Sequence, residues 1–254
     1  MEQTEEKNSE KVENPTKLQW PPLESDPKIF NDYFHTIGLP SGSFFKELIT
    51  LVDFKEFLII EGPLISVILN FSRKDKEKYN NSFLKEKIHP PNSIPFFIKQ
   101  TNELDNACGL IASLHSFGNN SNISFEKNSI LEEFFLQVKD QNYEERALTL
   151  ENFDKFKQAH VHYASHGQTN LEKVEEMKIG HYICFTIINN NLYELDGLKE
   201  GPYLIKNIYY SSSNKSVILV FSPPTNITLT FSSINPLLIL SRITLQLSSN
   251  KSSL

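Results

Sequence analysis

Two cysteines, Cys108 and Cys184, and seven histidines are the side chains from which thiol chemistry could be assembled in this 254-residue chain. Cys108 follows Asn106-Ala107 and opens a segment in which Leu110, Ile111, Leu114 and Phe117 recur on one helical face, with Gly118 as a stop. A helix N-terminus presents free N–H groups and a partial positive charge, and both favour thiolate over thiol. Thiolate is the nucleophile, so the position suits a catalytic cysteine. It also suits a small buried core residue, the commoner state of an arbitrary cysteine. Cys184 fits only the second reading, since it lies mid-strand between Ile183 and Phe185 with no acid or base beside it.

A nucleophilic thiol also needs an imidazole base and a group to orient it. Seven histidines leave that choice open. His181 opens one strand of a predicted hairpin and Asp196 closes the other. Folding the hairpin about Asn189–Asn191 brings those ends within hydrogen-bond reach, a placement that a surface hydrogen bond would also produce. His160, His162 and His166 invite zinc, but no cysteine lies near them and the acidic residues come further along. They make no closed ligand set, so neither a metal nor a cofactor is expected. The charge run Arg73–Lys78 reads as a solvated loop. Gly is scarce, at 9, and no Gly-rich phosphate loop exists.

The elements that must position these residues are legible in outline. Asp26-Pro27 is an N-cap and N1 pair, followed by Ile29, Phe30, Tyr33, Phe34 and Ile37 at helical spacing and by Gly38. A short helix is expected around Phe44–Val52, and Pro63–Phe71 reads as a buried strand. Ser72–His89 is expected as a polar loop and Pro95–Lys99 as a second short strand. Ile130, Leu131, Phe134, Phe135 and Val138 form another helical stripe. Tyr143–Ala159 is expected as one charged helix and His160–Met177 as a loop. Tyr182–Ile188 and Leu192–Leu195 form the hairpin. The layout is mixed α and β around a central sheet.

Composition changes sharply along the chain. All 31 acidic residues and all but three of the 25 basic ones precede Asn207; the remainder holds only Lys215, Arg242 and Lys251, with 12 serines. The net charge of −6 argues against nucleic acid as a partner. No run of 18 apolar residues is present, so no membrane span is expected. The charged opening Met1–Lys17 reads as a disordered leader without the apolar core of a secretory signal. Two cysteines are too few for a disulfide framework in a chain of this size, and a reducing cytosolic or nuclear compartment is the expectation.

Four segments together resemble the ubiquitin C-terminal hydrolases, papain-like cysteine deubiquitinases. Trp20-Pro-Pro-Leu-Glu-Ser-Asp-Pro27 is similar to the family's N-terminal signature. Lys99-Gln-Thr101 with Asn106-Ala-Cys-Gly109 is similar to its nucleophile segment. Glu144-Glu-Arg-Ala147, Leu150-Glu-Asn152 and His166-Gly-Gln-Thr169 are similar to its intervening helix and loop. His181 and Leu192-Tyr-Glu-Leu-Asp-Gly197 are similar to the segment holding base and acid. The resemblance implies an α+β, papain-like fold with a central antiparallel sheet flanked by helices, knotted if the C-terminal strand forms. It implies Cys108 as nucleophile, His181 as general base, Asp196 as its orienting carboxylate and Gln100 as an oxyanion donor beside the Cys108 N–H. It further implies ubiquitin or a ubiquitin-like modifier as partner, cleavage after the modifier's C-terminal glycine, and a crossover loop around His160–Val174 that limits leaving-group size. A monomer is the default.

Two departures stand out. The family usually places five residues between Gln and Cys, whereas seven intervene here, Thr101 to Ala107. The extra pair is expected to bulge before the helix; if it shifted Gln100, Asn102 would be the nearest substitute amide. After Ile205 the family's charged helix has no counterpart, and only Val217–Phe221 or Leu237–Leu240 could supply its final strand. The expected division is therefore a leader over 1–17, a catalytic domain over 18–206 and a divergent or mis-predicted Ser/Asn-rich segment over 207–254. The alternative function is a catalytically impaired, ubiquitin-binding pseudoenzyme.

Overall fold

Asp26 accepts the Lys28 N–H at 2.7 Å and starts helix α1, Pro27–Thr36, whose Ile29, Phe30, Tyr33 and Phe34 are buried. Gly38, at φ 110°, ends the element; a Cβ there would collide with Ser129, which caps the later helix α3. The computed structural model describes residues 20–47, 64–72, 95–104, 106–166, 180–189 and 191–207, together with the backbone of strands at 217–221, 229–231 and 243–245. The expected leader and residues 73–94 and 167–179 lie outside the described residues.

The described strands are β1 (Phe45–Glu47), β2 (Leu64–Ser72), β3 (Gly180–Ile188), β4 (Asn191–Leu195), β5 (Tyr203–Asn207), β6 (Val217–Phe221), β7 (Leu229–Phe231) and β8 (Ile243–Leu245). The first six form one sheet in the order β1-β6-β2-β3-β4-β5, and β7 pairs only with β8. Pairing is antiparallel from β2 through β5 and parallel where β6 meets β1 and β2. The expected antiparallel sheet thus gains a parallel flank. The division expected at residue 206 runs between β5 and β6 of this one sheet.

The short helix expected around Phe44–Val52 is a strand where it is described. The Asn31 side-chain amide takes both backbone groups of Phe45, at 2.7 and 2.8 Å, and β6 pairs alongside. The strand expected at Pro95–Lys99 forms no ladder; its backbone groups go to side chains and to other segments. Helix α2 (Cys108–Gly118) is buried from Cys108 through Phe117 and packs across β3 and β2, as a predominantly apolar helix does. Phe117 meets Phe34 and Phe45 edge-on, at 5.2 and 6.1 Å between ring centroids.

Helix α3 (Ile130–Gln137) is capped by Ser129, and α4 (Tyr143–Glu151) by a reciprocal capping box of Asn142 and Glu145. The single helix expected over Tyr143–Ala159 breaks at Asn152-Phe153. Asn152 turns its amide back to the Leu148 carbonyl at 2.7 Å, Phe153 is buried, and α5 (Asp154–Ala164) follows. His160 through Ala164, expected as loop, therefore belong to α5. Among the described residues, no helix is long and apolar enough to cross a membrane.

Candidate active site

Cys108 is the first residue of α2, behind Ala107 at φ −83°, ψ 9°, and it is 6% exposed. The N–H groups of this first turn have no intrahelical acceptor and point outward with the positive end of the helix.

The β3–β4 hairpin turns at Asn189, whose positive φ of 49° Asn tolerates well. Its ladder runs from Ile188 opposite Asn191 to Cys184 opposite Leu195. His181 and Asp196 lie just beyond the ladder's open end. His181 Nε2 is 2.7 Å from Asp196 Oδ1, and both side chains are fully buried. The same oxygen accepts the Leu198 N–H at 3.0 Å. Phe71, paired with His181 across β2 and β3, sets its ring edge-on to the imidazole at 5.6 Å. With Nε2 committed to Asp196, Nδ1 is the nitrogen left for the Cys108 sulfur, whose hydrogen-bonding and Coulombic attraction the ring feels.

Burial alone would push the His181 ring down. The hydrogen bond and charge of Asp196, with those of Cys108, outweigh it and raise the ring to about 9. Burial likewise works against the Asp196 carboxylate, yet its hydrogen bond and attraction to His181, the Leu198 N–H and Lys199 hold it below the ordinary value. Cys184 is the contrast: burial pushes its thiol well up, which leaves an inert core residue.

Gln100 is 5% exposed. Its backbone N–H donates to the Gly197 carbonyl at 2.8 Å, and its Nε2 donates to the Leu104 carbonyl at 3.1 Å. Gly197 has to be glycine for this approach, since a Cβ there would come to 2.9 Å from Gln100 Cβ. Within the longer connection before Cys108, Asn102–Leu104 form a 3₁₀ turn, with Leu104 fully buried and Asn102 and Glu103 exposed. Gln100 remains inside; Asn102 faces solvent.

Sequence reasoning missed His115, which links the three segments of the site. It sits on α2 two turns beyond Cys108 and is fully buried. Its Nε2 accepts the Ile98 N–H at 3.0 Å, its Nδ1 lies 3.3 Å from the Leu195 carbonyl, and its ring stacks on Phe97 at 4.9 Å. Accepting at Nε2 leaves the proton on Nδ1 to donate to Leu195. Burial lowers this ring to about 4, against smaller upward contributions from the Ile98 and Leu195 carbonyls, so it is neutral. Asn119 and Phe96 exchange two hydrogen bonds at 2.7 and 2.8 Å, and Lys99 N–H donates to the Tyr143 carbonyl at 3.2 Å. These bonds take up much of the backbone hydrogen-bonding capacity of the segment before Gln100. The available signal was a lone His, seven positions after Cys108, in a helix whose other residues are apolar or small.

The three histidines weighed as zinc ligands diverge. His160 gives Nε2 to the Pro21 carbonyl at 2.6 Å and meets Trp20 edge-on, while His162 and His166 stay together at the end of α5, 4.5 Å apart. Among the described residues no metal-binding group of His, Cys, Asp and Glu occurs.

Comparison with known proteins agrees over about three quarters of the chain. The family described as ubiquitin carboxyl-terminal hydrolase, family 1, matches residues 20–220. A ubiquitin carboxyl-terminal hydrolase of Aplysia californica is 35% identical over 74% of this chain and 86% of its own length. Ubiquitin carboxyl-terminal hydrolase 3 of Arabidopsis thaliana is 33% identical over 75% and 80%. Among solved structures, the Trichinella spiralis UCH37 catalytic domain bound to ubiquitin vinyl methyl ester superposes with a TM-score of 0.57 at 26% identity, covering 75% of this chain and 80% of that one.

Proposed function

Because the chain belongs to family 1 of the ubiquitin carboxyl-terminal hydrolases, which are cysteine-type deubiquitinases, we propose that it cleaves small adducts or short peptides from ubiquitin's C-terminal glycine through a thioester on Cys108. The observation that carries this reading is the buried 2.7 Å pair of His181 and Asp196 beside a thiol at a helix N-terminus. With the ring raised to about 9, the resting proton sits on His181, and the helix N-terminus favours the thiolate form of Cys108.

The Cys108 thiolate attacks the glycine carbonyl carbon, and the oxygen takes up the negative charge. The Cys108 N–H and the Gln100 carboxamide donate to that oxygen. His181 passes its proton to the leaving amine, the C–N bond breaks and the thioester remains. Acylation removes the sulfur's charge, and with it one cause of the raised pKa. His181 is then a ready base: it takes a proton from water, hydroxide attacks the thioester carbonyl, and the thiolate leaves as ubiquitin's carboxylate is freed.

A C-terminal amide fluorophore of ubiquitin tests this directly. Turnover by the wild type and none by Cys108→Ala is expected. A silent wild type, or full turnover by Cys108→Ala, sinks the reading. A ubiquitin probe with a C-terminal electrophile should label Cys108 alone, and binding without labelling would favour the pseudoenzyme.

A further inference from the structure

The connection from Gln100 to Cys108, two residues longer than the family's usual one, holds a contact that a five-residue connection has less chain to make. The Leu104 carbonyl accepts from the Gln100 side-chain amide at 3.1 Å and from the Ala107 backbone N–H at 2.9 Å. One oxygen therefore joins the carboxamide to the residue directly before the nucleophile. The turn that carries this oxygen is held at three places. Leu104 N–H closes it onto the Thr101 carbonyl at 3.1 Å, the Leu104 side chain is fully buried in the core, and the Thr101 hydroxyl is hydrogen-bonded to the half-buried-to-buried Glu151 of α4. Behind it, the Gly197 carbonyl fixes the Gln100 backbone at 2.8 Å.

A carboxamide nitrogen has two N–H groups. Giving one to Leu104 fixes the plane and the rotation of the amide, and the second N–H then points in a set direction. Without this acceptor a Gln side chain samples several rotamers, and a donor is worth most when it needs no reorganisation at the moment charge develops. We propose that the turn Asn102–Leu104 is a positioning device, with Leu104 as its anchor, that locks the Gln100 carboxamide in register with Cys108 as an oxyanion donor. The proposal rests on the oxyanion role given to Gln100 above. The longer connection of this chain thereby preserves the donor rather than displacing it.

The test is a double-mutant cycle on turnover of the ubiquitin amide fluorophore. Leu104→Ala frees the turn from the core, and Thr101→Val frees it from Glu151 with less disturbance of packing. Each is expected to lower kcat by about tenfold, part of the 10²–10³ that a lost oxyanion donor costs, with KM within about twofold of wild type. In a Gln100→Ala background, neither should lower kcat further, because the group they position is gone. Losses that multiply in that background, a change in KM instead of kcat, or wild-type kcat in Gln100→Ala would each overturn the proposal. If Leu104→Ala does not fold, as read by its thermal transition, Thr101→Val decides alone.

A wild type without any turnover, by contrast, removes the hydrolase reading and leaves the placement to NMR. There the Gln100 side-chain amide protons should exchange slowly in wild type and faster in Thr101→Val. Equal exchange in the two proteins would overturn the positioning role whatever the activity.

Discussion

His181 carries opposing demands, and its environment meets them through two partners. Burial disfavours the charged ring, and the hydrogen bonds and opposite charges of Asp196 and Cys108 together more than offset it. Because the folded pKa of about 9 lies above the ordinary 6.5, the His181 share of this pair is fully present at about pH 6.5 and is lost as pH rises through 9, while the share of Asp196, held below its ordinary value, is lost in acid. The imidazolium that protonates the leaving amine in the proposed mechanism disappears over the same window. The kcat/KM profile of the wild type is therefore expected to show an alkaline limb near pH 9. In Asp196→Asn, burial acts without the compensating charge. An NMR titration of the His181 ring should then find its midpoint at lower pH, with kcat lowered by up to about 10⁴-fold, as the same change does in a serine triad. A midpoint unmoved by Asp196→Asn would show that another group sustains the ring's charge.

At the scale of elements, α2 does more than present Cys108. Its His115 reaches the segment before Gln100 through Ile98 and the strand before Asp196 through Leu195. Three pieces of chain are thus referenced to one imidazole, which works only while that ring is neutral. Burial, the dominant influence, depresses it from 6.5 to about 4, so the unfolded chain binds the proton more readily between those values. Stability contributed by the neutral ring is present above about pH 6.5 and is lost as pH falls toward 4. His160, buried on α5 against Trp20 and lowered to about 4, chiefly by burial, adds to the same acid limb. His115→Phe would retain a ring facing Phe97 but leave the Ile98 N–H without its acceptor. Urea unfolding should show it destabilised by about 1–3 kcal/mol at pH 7. Its stability should also fall less steeply than wild type between pH 6.5 and 4. An unchanged acid slope would assign that limb to other groups.

For the whole molecule the decisive element is β6. It lies between β1 and β2, parallel to both, and joins a strand from the first fifth of the chain to the strand bearing Phe71. Removing it would leave two strand edges open inside the sheet. A chain ending at residue 206 is therefore expected to be insoluble or to lack a cooperative thermal transition. One ending at residue 222 keeps all six strands of the main sheet and should melt cooperatively, since β7 and β8 pair only with each other. Circular dichroism melts of the two truncations check this. A cooperative transition in the shorter chain would mean that the sheet closes without β6.

Local chemistry made the α1 cap, the α2 stripe behind Cys108 and the β3–β4 hairpin readable from sequence. A cap, a 3.6-residue period and an Asn-rich turn each act within a few residues. The family likeness was readable because short motifs in a fixed order carry it. What local patterns could not decide depends on partners far along the chain. Phe45–Glu47 is a strand because β6 lies beside it, and residues 95–100 stay out of any ladder because Asn119, His115, Tyr143 and Gly197 take their backbone groups. The helix over Tyr143–Ala159 breaks where the core accepts Phe153. Gln100 stays buried despite the longer connection because Leu104 found a place in the core and turned its carbonyl toward the amide. Sequence supplied the reactive groups and the local elements; tertiary packing alone decided where their hydrogen bonds would end.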